Sequence, residues 1–142
     1  MSEAKEVVRK IEEAWARNDL GAVSALVAPD IVNHDAPPGL PPGLEGAKAG
    51  HGMFMASFPD RTMDIEQVIG DGDLVTVRTV VRGSHSGAAF LGIPATGKQV
   101  QIEGISIYRV AGGKAVEHWG LNDGIGLMMQ LGAMAPPGAA VG

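Results

Sequence analysis

The sequence predicts an α+β domain, with amphipathic helices first and a long antiparallel sheet after them. Three observations carry this. Apolar residues recur at helical spacing through roughly the first sixty positions, the period changes to two from Thr62 onward, and proline or glycine marks the joints. A sheet curled around helices leaves a pocket between the two layers.

Ala4, Val7, Val8, Ile11, Ala14 and Trp15 fall at three- and four-residue intervals, so an amphipathic helix opens the chain with Ser2 as its cap. Asp19 opens a second short helix through Val27, and Pro29 stops it because proline has no N–H for the helical ladder. Asp30 to Asp35 is extended. Ala36 to Gly43, APPGLPPG, holds four prolines in eight residues and reads as a stiff loop forming a rim or lid. Leu44, Ala47, His51, Phe54, Met55 and Phe58 share helical spacing, and Pro59 ends that helix. Met63, Ile65, Val68 and Ile69 then form a strand, GDGD from Gly70 to Asp73 a tight turn, and Leu74 to Arg82 the returning strand. Val100 to Val110 and Ala115 to Asn122 make a second hairpin, closed at the AlaGlyGlyLys turn. A Gly-interrupted amphipathic segment follows, with Ile125, Leu127, Met128 and Leu131 on one stripe.

The 142 residues fit one domain, 1–142, with 133–142 as a flexible tail. A net charge of −5, with 11 basic residues scattered singly, gives no electrostatic footprint for nucleic acid. There is no cysteine, so disulfides, thiol chemistry and thiolate metal sites are unavailable. The N-terminal segment lacks a signal-type apolar stretch, and no apolar run approaches the ~20 residues that span a bilayer, so a cytoplasmic protein without membrane contact is expected. Outward Val, Ile and Thr of the sheet predict a homodimer or higher homo-oligomer.

Five stretches come in a recognisable order: Ala14–Trp15 closing the first helix, PDIVNHD (29–35), GLEGAKAGHGMFMASFPD (43–60), GSHSGAAFLGIPATGKQV (83–100) and YRVAGGKAVEHWGLND (108–123). Together they resemble the SnoaL-like polyketide cyclases, members of the nuclear transport factor 2-like (NTF2-like) superfamily, over roughly residues 5 to 132. The resemblance implies a cone in which a curved mixed or antiparallel sheet wraps the N-terminal helices around an apolar pocket. It also implies a cofactor-free enzyme closing a ring by an aldol-type step on a small or polycyclic apolar carbonyl substrate. Two rivals stand beside that reading. One is a hydrolase or isomerase resembling limonene epoxide hydrolases or ketosteroid isomerases, with Arg78, Arg82 and Glu103 as unplaced partners. The other is a non-catalytic small-molecule-binding domain.

Asp123 is the first candidate. Regular alternation puts Trp119, Leu121 and Asp123 on one otherwise apolar face, at the joint between the last strand and the segment after it. Local sequence leaves open whether this carboxylate caps a helix or does chemistry. The resemblance points to a general base at the pocket floor, its pKa raised by lost hydration. Asn33 is second, as a donor to an enolate oxygen or as a turn residue. Trp15, Phe54, Phe58, Trp119 and Leu121 are expected to line one cavity with several Met. His34, His51 and His85 complete the candidate binding set, each with a plain alternative: His34 bonded to the proline loop, His51 a satisfied buried histidine, His85 a pin for the loop after it. His118, an odd five residues from Asp123, should point away from it and be structural. Ser106 stands where one such cyclase carries a pocket histidine, so a His/Asp pair does not carry over. Compact ligand spacing and nucleotide-binding fingerprints are missing, so neither a metal nor a cofactor is expected.

Overall fold

The computed structural model describes residues 2–136 and 138, so residues 137 and 139–142 of the expected tail lie outside the described residues. Helix α1 (Glu3–Ala16) begins where the Ser2 hydroxyl accepts from the Lys5 N–H at 3.2 Å. Helix α2 (Leu20–Leu26) begins in the same way at Asp19, whose carboxylate accepts from the Ala22 N–H at 3.1 Å. Strand β1 (Val27–Asn33) follows at once, so Pro29 lies inside a strand instead of merely ending a helix. It is tolerated because β1 is an edge strand, where one side of the backbone has no ladder to supply.

Helix α3 (Gly43–Ser57) then packs onto β1. Its first residue has φ +72°, and a Cβ there would come 2.5 Å from the Pro29 carbonyl oxygen, so both backbone shape and space call for glycine. Strands β2 (Thr62–Asp71), β3 (Leu74–Ser84), β4 (Gln99–Ala111) and β5 (Lys114–Asn122) complete a five-stranded sheet in the order β1-β5-β4-β3-β2. All neighbours are antiparallel except β1 and β5, so the sheet is mixed. Helix α4 (Gly124–Gln130) closes the fold against β4.

One face of the sheet carries the helices. Along β4 the even-numbered Val100, Ile102, Tyr108 and Val110 are buried, while Ile105 and Ile107 point to the other face and are exposed. The stripe Val7, Val8, Ile11 and Ala14 of α1 packs on Val75, Val77, Tyr108 and Val110, with Val23, Val27 and Leu44 joining from the flanks. Each Val, Ile or Leu of this set taken fully out of water contributes about 1.5–3 kcal/mol. A second cluster gathers Phe58, Val100, Ile102, Leu127 and Leu131 around the far end of the sheet.

The hairpin of β4 and β5 contains one irregularity on which the rest depends. Val110 pairs with Ala115, but the next pair is Arg109 with Glu117, so Val116 is an extra residue on β5. Beyond this bulge the pairs are Tyr108 with His118, Ile107 with Trp119, Ser106 with Gly120 and Ile105 with Leu121. A one-residue slip exchanges the faces of a strand. The helix-facing residues of β5 are therefore Ala115 and then His118 and Gly120, while Trp119 and Leu121 face outward.

Candidate active site on the inner face of the sheet

His118 stands at the centre of the polar groups on the helix-facing side. Its Nδ1 lies 2.9 Å from Asp35 Oδ1 and 2.9 Å from Asn33 Oδ1, and its Nε2 lies 3.0 Å from Ser106 Oγ. Carboxylate and amide oxygens only accept, so Nδ1 carries the proton, Nε2 presents a lone pair, and the Ser106 hydroxyl donates to it. The local sequence accounts for each partner. Parallel pairing of Asn33 with His118 brings the end of β1 beside the ring, and the chain turns just beyond it, delivering Asp35. Gly120 keeps the space open: a Cβ there would come 2.8 Å from Asp35 Oδ2 and 2.9 Å from His118 Cε1. The side chains of His118 and Asp35 are 15% and 33% exposed, shielded but reachable.

Behind the imidazole lies a buried acid. The Tyr108 ring sits 4.7 Å from that of His118, and its hydroxyl donates to Glu12 Oε1 at 2.6 Å. Burial pushes the Glu12 carboxyl above its ordinary range, with the Tyr108 hydrogen bond pulling back. Burial, and then the nearby Glu12, raise Tyr108 well above a normal phenol, so it stays a donor. On the far side of α1, Trp15 lies 4.9 Å from the His51 ring, whose Nε2 is 2.7 Å from Asn18 Oδ1. Desolvation, then the Arg61 charge, hold His51 below its ordinary value, so the ring tends to be neutral. Arg61 donates to the Trp15 carbonyl at 2.7 Å, covering the C-terminal end of α1.

Several expected positions differ. Asp123 is an exposed N-cap of α4, its carboxylate accepting from the Gly126 N–H at 2.8 Å. It does share a face with Trp119 and Leu121, but the Val116 bulge turns that face outward. There they border an open groove of about 400 Å³ with Arg78, Glu103, Ile105 and Ile107. Arg78 and Glu103, unplaced by sequence, form a 2.8 Å ion pair on that side. The single cavity expected for Trp15, Phe54, Phe58, Trp119 and Leu121 is divided. Trp15 packs against the main core, Phe54 and Phe58 stack at 4.6 Å in the second cluster, and Leu121 is 82% exposed.

The histidines sort themselves by contact. His34 does not bond the proline loop: it pairs with Glu117 at 2.7 Å and stacks on Trp119, rings 4.8 Å apart, on the outer side. His85 is fully buried, accepting at Nδ1 from the Thr96 N–H (3.3 Å) and donating from Nε2 to the Ala88 carbonyl (3.2 Å), which pins residues 88–96. His118, read from sequence as structural, is the histidine that the fold surrounds with Asn33, Asp35 and Ser106. Its orientation opposite to Asp123 was legible, but the face that looks inward was not. Tyr108 gave the available signal, an amphipathic aromatic among the even-numbered apolar residues of β4. Among the described residues, no group of three or more His, Cys, Asp or Glu is placed to hold a metal ion. Among the described residues, no helix is long and apolar enough to cross a membrane.

A family model described as SnoaL-like polyketide cyclase matches residues 5–131. Among solved structures, the chain is similar to wild-type IdmH, a candidate polyketide cyclase from Streptomyces antibioticus. The identity is 35% over 92% of this chain and 99% of that one, with a TM-score of 0.80. A candidate polyketide cyclase from Bacillus cereus is 28% identical over 94% of this chain and 83% of that one, TM-score 0.80. AclR, a candidate hydroxylase from Streptomyces galilaeus, is 26% identical over 96% and 85%, TM-score 0.80. No curated protein matches the chain.

Proposed function

Because the chain belongs to the SnoaL-like polyketide cyclase family, we propose that it closes a ring on a polyketide or other apolar carbonyl substrate by cofactor-free acid/base catalysis, with His118 as the base. The observation that carries this reading is the grip on the imidazole: a carboxylate fixes Nδ1–H, leaving Nε2 as the proton acceptor on the partly open inner face. Nε2 takes a proton from a carbon flanked by carbonyls. The resulting enolate carbon attacks a second carbonyl of the same molecule, a C–C bond forms, and the new alkoxide takes the proton back from the imidazolium. Asp35 stabilises that imidazolium by charge, and Asn33 shares the Nδ1 hydrogen bond. Asp123 takes the role its geometry supports, a helix cap.

The test sets the two carboxylate and imidazole positions against each other on a panel of polyketide methyl esters, epoxides and β-ketosteroids. On whichever substrate turns over, His118→Gln should lose roughly 10² or more in kcat, while Asp123→Asn should be nearly silent because Asn caps as well as Asp. A full loss in Asp123→Asn with His118→Gln intact would move the chemistry to the outer groove. Turnover of epoxides alone would favour the hydrolase reading.

The chain is further proposed to be a homodimer through the outer face, where Val32, Ile105, Ile107 and Leu121 are exposed together on adjoining strands. Leu121→Asp should convert the dimer to a monomer in light scattering; a wild-type monomer at micromolar concentration would sink the idea.

A further inference from the structure

Ser106, His118 and Asp35 form a chain of contacts that ring closure alone does not require. Ser106 Oγ is 3.0 Å from Nε2, and Asp35 Oδ1 is 2.9 Å from Nδ1 of the same ring. A hydroxyl, an imidazole and a carboxylate joined in that order, with the carboxylate on the nitrogen remote from the hydroxyl, is the arrangement that activates a serine for acyl transfer whatever the fold around it. We propose that this protein is also an esterase, with Ser106 as the nucleophile toward carboxylic esters of apolar acids. This inference rests on His118 being a base, as in the reading above, but assigns a separate reaction to a separate atom.

The side chains around Ser106 are polar. Ser106 lies on β4 opposite Gly120, and Gly104 precedes it by one inward position, so two of the inward neighbours of the hydroxyl have no side chain. The space over both glycines is taken by side chains of neighbouring residues, Asp35 and His118 at Gly120 and Asn122 at Gly104, so the absence of a Cβ is what lets those groups sit beside Ser106. Asn33 is turned with Oδ1 toward Nδ1–H, and its amide nitrogen makes none of the side-chain hydrogen bonds found among the described residues.

The steps balance without any other reagent than water. His118 Nε2 takes the Ser106 proton as Oγ bonds to the ester carbon, and the tetrahedral oxyanion collapses with loss of the alcohol, which leaves with the proton from the imidazolium. Water then gives a proton to Nε2, attacks the acyl carbon, and releases the acid with Ser106 restored.

The full-length protein is mixed with p-nitrophenyl butyrate. A burst of p-nitrophenolate equal to one per chain is expected, with one butyryl group found on the peptide holding Ser106. Ser106→Ala should abolish the burst, Ser106→Cys should keep a labelled residue at 106, and His118→Gln should slow acylation by roughly 10² or more. Circular dichroism shows that each variant is folded, and labelling by a fluorophosphonate gives the same readout without turnover. Acylation at another residue, or none in the wild type, overturns the esterase. If acylation is absent while His118→Gln still abolishes ring closure, only this inference falls; if Ser106 is acylated and ring closure ignores His118, the cyclase mechanism falls alone.

Discussion

Two histidine–carboxylate pairs flank the same strand, one on each face of β5. On the inner face His118 and Asp35 are 2.9 Å apart with side chains 15% and 33% exposed. On the outer face His34 and Glu117 are closer, 2.7 Å, with 41% and 25% exposed. The shorter contact is the less useful one. Glu117 is held by the His34 hydrogen bond and then by Arg109 at 3.1 Å, which together pull its carboxyl below the usual range. Arg109 in turn reaches Asp73 at 2.9 Å, so the outer carboxylate is one link in an exposed ion network. Its histidine spends Nε2 on the carboxylate and lays its ring flat on Trp119. The inner histidine spends Nδ1 and keeps Nε2 for a hydroxyl. Which nitrogen meets the carboxylate, and what else that carboxylate serves, separates a proton-transfer group from a surface brace.

The contrast is sharpest in rate. His118→Gln should cost roughly 10² or more in turnover, whereas His34→Gln on the other face should change it by less than about twofold. Comparable losses in both would erase the distinction between the faces.

A smaller effect separates the two faces by stability against pH. Burial raises the Glu12 carboxyl above its ordinary value of 4.5, so the folded chain holds that proton more tightly than the unfolded one. The stabilisation is full below the unfolded value and is lost as pH rises through the raised folded value. Glu12→Gln keeps an acceptor for Tyr108 and cannot ionise. Its Tm should therefore exceed that of the wild type at about pH 8, with the two curves converging toward about pH 4. A constant difference across that range would mean that Glu12 does not titrate differently on folding. For Glu117→Gln the sign reverses, because a carboxyl held low in the folded chain stabilises it above the unfolded value and that advantage is lost as pH falls, and the effect is small at this exposed position.

The smallest effect lies at Asp123. Asp123→Ala removes the cap of α4 and should cost about 0.5–2 kcal/mol, lowering Tm by roughly 2–4 °C per kcal/mol with kcat unchanged. A Tm equal to that of the wild type would show that α4 does not depend on this hydrogen bond.

Local sequence carried most of the elements and little of their facing. Ser2 and the α1 stripe, the GDGD turn and the glycine turn of the second hairpin are short-range signals, and each appears where it was expected. The parallel pairing of β1 with β5 joins residues 85 positions apart, and no local pattern encodes it. The Val116 bulge is silent as well: Ala115, Glu117, Trp119 and Leu121 alternate regularly, and only pairing with β4 shows that the register breaks among them. That break exchanged His118 for Trp119 on the inner face and moved Asp123 out of the expected pocket. Glu12 was hidden for another reason. It lies in the charged run LysIleGluGlu, and a carboxylate facing a core is visible only once Tyr108 is seen to reach it.

Val116 acts on β5 as a single inserted base acts on a reading frame. Everything downstream of it is displayed in the alternate phase, and the residues themselves are unchanged. Deleting Val116 would relieve the bulge and leave His118 opposite Tyr108, facing inward; pairing Val116 opposite Arg109 in a regular ladder would instead turn Trp119 and Leu121 toward α1 and His118 to the outer face, without altering any letter. What the inner face displays is thus set by where the ladder skips a residue, and a shift of that skip would change the chemistry while every residue of the site stayed the same.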